Sequence, residues 1–105
     1  MFMEKKNFEM IICIVNAGYS GEVMDVARAA GATGGTIIHA RGTVNKKAEE
    51  TFKITISPEK DLVLLAVNRD IKDAVLKAIY DHVGLGTDGN GVAFSLPITD
   101  ALGIK

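Results

Sequence analysis

The residues of this chain that could do chemistry are mostly backbone, presented by glycine. Four of the eleven glycines fall in "GLGTDGNG", residues 84–91, and three more, Gly31, Gly34 and Gly35, fall in "GATGGT", residues 31–36. Glycine lets backbone approach a ligand closely, and it also makes tight turns. A phosphate loop of the P-loop or dinucleotide type runs strand, glycine loop, helix, with the anion on the helix N-terminus. Both glycine clusters here read in the reverse order, helix then glycine then strand, which excludes those two motifs. A looser arrangement stays open, in which successive N–H groups of Gly89-Asn90-Gly91 form an anion nest. The plain alternative is a helix cap followed by turns. We expect the two clusters to fall at the same end of the sheet, where they could share a pocket.

Other reactive types carry less. His39 alternates with Ile38 and Ala40 on a predicted strand and reads as a packed or interface histidine. His82 sits where a helix-end cation would suit the dipole. Cys13, the one cysteine, lies between Ile12 and Ile14 and reads as inert core. Two histidines and one cysteine far apart in sequence have no metal-ligand spacing. No nucleophile has an identifiable partner, so no catalytic residue is assigned. Lys46-Lys47 with Glu49-Glu50 reads first as a solvated face and second as a partner-docking loop.

The elements that must position these groups follow from periodicity. "EMIICIV" (9–15) is a buried strand. Ser20 is placed to cap a helix, and Val23, Val26, Ala27 and Ala30 form its apolar face, ended by Gly31. "TIIHAR" (36–41) is a second strand, followed by a polar loop over 42–50. "TFKITIS" (51–57) alternates and predicts a strand with one wet face. Ser57-Pro58-Glu59-Lys60 has turn chemistry, and "DLVLLAV" (61–67) is a further buried strand. Whether 51–67 is a hairpin or one kinked strand stays open. Asn68 or Asp70 can cap a second helix carrying Ile71, Ala74, Val75, Ala78 and Ile79, ended by Gly84. Residues 92–98 form the last strand.

That order is the split βαβ pattern of an α+β, ferredoxin-like βαββαβ sandwich. Both helices would lie on one face of the sheet. The strands look too apolar to leave the other face in water, so further subunits are expected to cover it. The whole chain of 105 residues reads as one domain, with 1–8 as an N-terminal extension and 99–105 as a C-terminal tail. A net charge of −1 argues against a nucleic-acid binder. The longest apolar runs have six residues, too short for a bilayer. With a single cysteine and no signal-like stretch, a cytoplasmic protein is expected.

"GATGGTIIHARG" (31–42), "LLAVNRDIKDAVLKAI" (64–79) and "GNGVAFSLPI" (89–98) together resemble the PII signal-transduction family, also called nitrogen regulatory protein P-II. A Gly-x-x-Gly-x-Thr turn enters the second strand, and a Gly-x-Gly turn enters the last. The resemblance runs from about residue 9 to the end. It implies a homotrimer that binds a small effector in clefts between subunits and is not an enzyme. It further implies that a flexible loop, here a shortened one over 42–51, docks on a regulated enzyme or membrane transporter. Carried over, Gly34, Gly35 and Thr36 would line the base and ribose, and Gly42 with Gly89, Asn90 and Gly91 would approach phosphates. Arg41 and Lys105 are the candidate cations, and Thr43, Asn45, Lys46 and Lys47 the docking loop. The implied ligand is ADP, AMP, ATP or another adenylyl effector.

The chain departs from the family pattern at several charged positions. Val92 stands where the family has a phosphate lysine. The family's two late arginines fall at Gly103 and Lys105, and its loop glutamine near Lys46. Lys60 lies near the family's 2-oxoglutarate lysine. The tyrosines, Tyr19 and Tyr80, lie outside the loop, so a loop uridylylation has no acceptor. Each lost charge-assisted hydrogen bond costs about 1.5–3 kcal/mol. The alternative is a ferredoxin-like trimeric scaffold or metal-tolerance-type protein that binds no nucleotide.

Overall fold

The computed structural model describes residues 7–43, 47, 50–51 and 58–104. It contains β1 (Phe8–Asn16), α1 (Ser20–Ala29), β2 (Thr36–Arg41), β3 (Glu59–Asn68), α2 (Arg69–Val83) and β4 (Val92–Pro97). The strands form one antiparallel sheet in the order β2-β3-β1-β4. This is the expected ferredoxin-like arrangement. β1 is central because its apolar run can be buried along its length, with Cys13 opposite Val63 on one side and Ala93 on the other.

Side chains alternate across the sheet. Ile11, Cys13, Val15, Val63, Leu65 and Val67 face the helices and are buried. They pack with Val23, Met24 and Ala27 of α1 and Val75, Ile79 and Val83 of α2. The predicted stripes supply Val23, Ala27, Val75 and Ile79; Met24 and Val83 join them from outside the stripes, and Ala74, read as part of the second stripe, is exposed. Met10, Ile12 and Ile14 of β1 and Leu62, Leu64 and Ala66 of β3 turn the other way and stay partly exposed. Ile38 (44%), Val92 (48%), Phe94 (41%) and Leu96 (50%) extend that second apolar face to both edges.

The helix ends follow local chemistry. Asn68 caps α2 by accepting from the Asp70 N–H at 3.0 Å. Gly31 has φ +113°, which only glycine adopts without strain, and it closes α1 in a Schellman motif. There the Ala32 N–H donates to Ala27 O at 3.0 Å, and the Gly31 N–H donates to Arg28 O at 3.0 Å. Ser20 does not cap α1. It is the first helical residue, and Tyr19 holds the cap position with no side-chain bond. The turn before α1 is instead held from β3, where the Asp61 carboxylate accepts from the Gly18 N–H at 3.1 Å.

Three further readings change. Glu59 and Lys60 are strand residues opposite Arg41 and Ala40, so the turn read at 57–60 does not extend to them. Once paired with β2, their backbone groups have sheet partners that override the turn signal. Lys47, Glu50 and Thr51 are helical, whereas loop was expected through 50 and strand from 51. The rest of the strand read over 51–57 lies outside the described residues, as do Asn45, Lys46 and Lys105.

The two glycine clusters lie at opposite ends of the sheet. β1 and β2 run one way, β3 and β4 the other. The α1–β2 connection therefore sits where β1 begins, and the α2–β4 connection sits where β1 ends. The expectation of one shared end fails because the strands that follow the two helices run in opposite directions.

A methyl group tests the packing of these turns. A Cβ on Gly91 would meet Val83 O at 2.6 Å and Val15 Cγ1 at 2.8 Å, whereas one on Gly34 meets nothing within 4 Å. Chemical denaturation should show Gly91→Ala less stable by about 1–3 kcal/mol, the cost of overpacking. Gly34→Ala should stay within about 1 kcal/mol of the parent. Equal midpoints for the two variants would contradict this packing.

Candidate functional site

At the end where β1 stops, Asn16 joins three segments. Its backbone N–H donates to Gly89 O at 2.8 Å, and its side-chain Nδ2 donates to Asp88 O at 2.9 Å. Its Oδ1 accepts from Lys60 Nζ at 2.6 Å. Gly42 is at the same end, its N–H donating to Pro58 O, and a Cβ there would touch the Lys60 side chain at 3.4 Å. Arg41 and Thr43 flank it, both exposed. Gly42 and the Gly89–Gly91 turn therefore lie at the same end of the sheet, linked through Lys60 and Asn16.

The glycine stretch itself is largely self-satisfied. The Thr87 N–H and hydroxyl both donate to Gly84 O, at 3.2 and 2.7 Å, and the Asn90 N–H donates to Thr87 O at 3.0 Å. The Gly91 N–H donates to Val83 O at 2.6 Å. Two of the three N–H groups proposed for a nest are therefore turned into the chain. A Cβ on Gly89 would meet Val83 Cβ and O at 3.1 Å. The close approach that these glycines permit is to the end of α2. Asn90 supplies the left-handed residue of the turn, with φ +46°.

At the opposite end, Gly34, Gly35 and Thr36 line an open cleft of about 480 Å³. Met10, Leu64 and Ala66 form its apolar floor, and Gly103 and Ile104 form one side. A smaller cavity of about 220 Å³ adjoins it at Thr33 and Ala66 and reaches Ile71 of α2. Gly35 is required here, because a Cβ would lie 2.6 Å from Leu65 Cδ2 and 2.9 Å from Leu64 O. Within one chain the two groups of candidate residues are separated by the length of β2, about 17 Å.

Residue pattern alone missed one cluster. His39 is not packed. Its side chain is 88% exposed, and its Nδ1 lies 2.8 Å from Oδ1 of Asp61, whose side chain is 3% exposed. The residues are 22 apart in sequence and meet only because His39 stands opposite Asp61 in the β2–β3 register. The His39 hydrogen bond holds the Asp61 carboxyl below the usual carboxylate range; burial opposes it, while the Gly18 N–H, the His39 charge and the Ser20 hydroxyl add to it. Cys13 is inert core as expected, its thiol pushed up to about 11 by burial. His82 lies in the last turn of α2, bonded through Nδ1 to Ala78 O at 2.9 Å. Among the described residues, no three His, Cys, Asp or Glu side chains could share a metal ion. No helix among them is long and apolar enough to cross a membrane.

Sheet order and helix placement define a ferredoxin-like α+β fold, the architecture that the resemblance implies. The family model for nitrogen regulatory protein P-II matches residues 8–105, and the chain belongs to that family. A comparison with curated protein sequences finds no match. Among solved structures, the chain is similar to Arabidopsis thaliana PII bound to citrate (TM-score 0.67, 22% identity, covering 90% of this chain and 79% of that one). It is also similar to CPII from Thiomonas intermedia K12, a nitrogen regulatory PII-like protein bound to ADP, AMP and bicarbonate (0.68, 16%, 93% and 97%). A third is the Bacillus subtilis GlnK–ATP complex (0.68, 18%, 89% and 83%). At these identities the structural likeness establishes the fold; the family model establishes membership.

The Asp61 cluster has a pH signature. A carboxyl held low in the folded chain stabilises it fully above the unfolded value, and that stability is lost as pH falls through the folded value. Asp61→Asn should cost about 1.5–3 kcal/mol at neutral pH, the range for hydrogen bonds to a charged group. It should also flatten the acid limb of stability against pH, read by urea denaturation from pH 3 to 7. An unchanged acid limb would show that Asp61 is not the group responsible.

Proposed function

We propose that the chain works as a trimeric PII-type sensor. An adenylyl effector binds between subunits and shifts the conformation of the 42–51 loop, which engages a partner protein. The observation that carries this reading is the division of the candidate site between the two ends of the sheet, beside an uncovered apolar face. A second copy packed on Ile12, Phe94 and Leu96 would bury much of that face. It would also set one chain's Gly34–Thr36 cleft against another's Gly42 and Gly89. The ADP and AMP bound by CPII, and the ATP bound by GlnK, support an adenine nucleotide as the effector class. Lys60, with Arg41 and Lys105, would supply positive charge where Val92 cannot.

One observation favours the scaffold reading. Gly89 and Gly91 have a packing reason of their own, and Val92 is half-exposed and apolar. Ligand binding separates the two readings. In a thermal-shift series with AMP, ADP, ATP and 2-oxoglutarate, with and without magnesium, one adenine nucleotide should raise the melting temperature. At ~100 times its dissociation constant it adds about 2.7 kcal/mol. Gly34→Val projects into open space, so it should abolish the shift while leaving the free protein's melting temperature close to the parent's. Gly89→Val is the wrong test, because it collides with Val83. If none of these compounds moves the parent, the scaffold reading takes precedence.

The assembly has its own test. Light scattering should give three times the 11.2 kDa chain mass. Phe94→Asp, placing a charge in the middle of the apolar face, should reduce it to the single-chain value. A monomeric parent would remove the inter-subunit site.

A further inference from the structure

We propose that the His39–Asp61 pair is a proton-responsive latch tying the base of the 42–51 loop to the start of α1. The latch is a property of the chain itself. Only its consequence for a partner rests on the sensor reading above.

The geometry joins three elements at one carboxylate. Asp61 is on β3 and buried. It accepts from His39 Nδ1 on β2 at 2.8 Å and from the Gly18 N–H, in the turn before α1, at 3.1 Å. β2 is an edge strand whose one neighbour is β3. It ends at Arg41, immediately before Gly42. His39 therefore anchors the last residues before the loop to a point that also fixes the first helix. No other side-chain hydrogen bond or ion pair among the described residues joins β2 to the rest of the sheet.

The pair responds to protons in a defined direction. With His39 neutral, Nδ1–H donates to a charged carboxylate. When Nε2, which faces solvent, takes a proton, the hydrogen bond becomes an ion pair with one buried partner and strengthens. The latch is tighter when His39 carries the second ring proton and looser when it does not. It fails only in stronger acid, when Asp61 itself is protonated.

Among the described residues, Asp61 is the anion that meets His39. On β3, Glu59 stands opposite Arg41, and Lys60 bonds to Asn16. On β2, Arg41 shares the face of His39 and is exposed. The first turn of α1 carries Glu22, which is exposed. Tyr19 is the titratable group of the turn before α1 and packs on the core.

The test is amide hydrogen exchange of residues 37–41 in the full chain without ligand, at about pH 5.5 and about pH 7.5. Rates are expressed as protection factors to remove the intrinsic pH dependence of exchange. The parent should be about three- to fivefold more protected at the lower pH, the scale of a pair with one exposed partner. His39→Gln, at an exposed position, should remove the difference, and Asp61→Asn should remove it and lower protection at both values. If Asp61→Asn does not fold, His39→Gln decides alone. Equal protection in the parent at the two pH values, or the same difference retained in His39→Gln, overturns the latch.

Discussion

Everything in this molecule depends on a sheet that is apolar on both faces. Strands such as "IICIV" and "LVLLAV" place aliphatic side chains up and down in turn, and the two helices cover only one side. Burying that side gives the core around Ile11, Val15, Val63, Leu65 and Ile79. The other side keeps Ile38, Phe94 and Leu96 between two-fifths and one-half exposed. A contiguous apolar surface of this kind marks an interaction site. In our reading a second copy covers it, and the same contact assembles the binding cleft. One demand, removal of apolar area from water, then serves both stability and function.

The glycines divide by what they approach. Gly35 and Gly91 are needed by the fold, because Leu65, Val83 and Val15 occupy the space a methyl group would take, and Gly89 is tightly packed on Val83. Gly34 has no such neighbour and borders the open cleft. Gly31 is required by its left-handed backbone at the end of α1. A glycine-rich stretch is therefore a weak sign of a ligand until its surroundings are known. Here the open position lies in the first cluster, while the conspicuous second cluster is mostly a turn folded onto α2.

Much of the architecture was legible locally. Periodicity placed β1, α1, β2 and α2, and Gly31, Gly84 and Asn68 marked helix ends through their own chemistry. The misreadings share a cause. Ser20 looks like a cap, but the turn before it is tied to Asp61, 41 residues away. Glu59 and Lys60 look like a turn, but β2 pairs with them. The two glycine clusters look equivalent because each follows a helix, yet strand direction sends them to opposite ends. In each case a long-range partner overrode a short-range signal. The His39–Asp61 contact is the same effect seen at a site, since neither residue's neighbours in sequence mention the other.

The sequence by itself determined the family, the order of elements and the two-faced apolar strands, because these depend on residue type and on periods of two and 3.6. It also determined where side-chain charge is missing, since Val92 and Gly103 carry no cationic group whatever surrounds them. Only the tertiary structure decided which glycines are packed and which are open, that Lys60 is held by Asn16 beside Gly42, and that Asp61 joins β2 to α1. Those facts depend on strand register and direction. Register and direction arise from pairing between distant segments, so no local window of residues contains them.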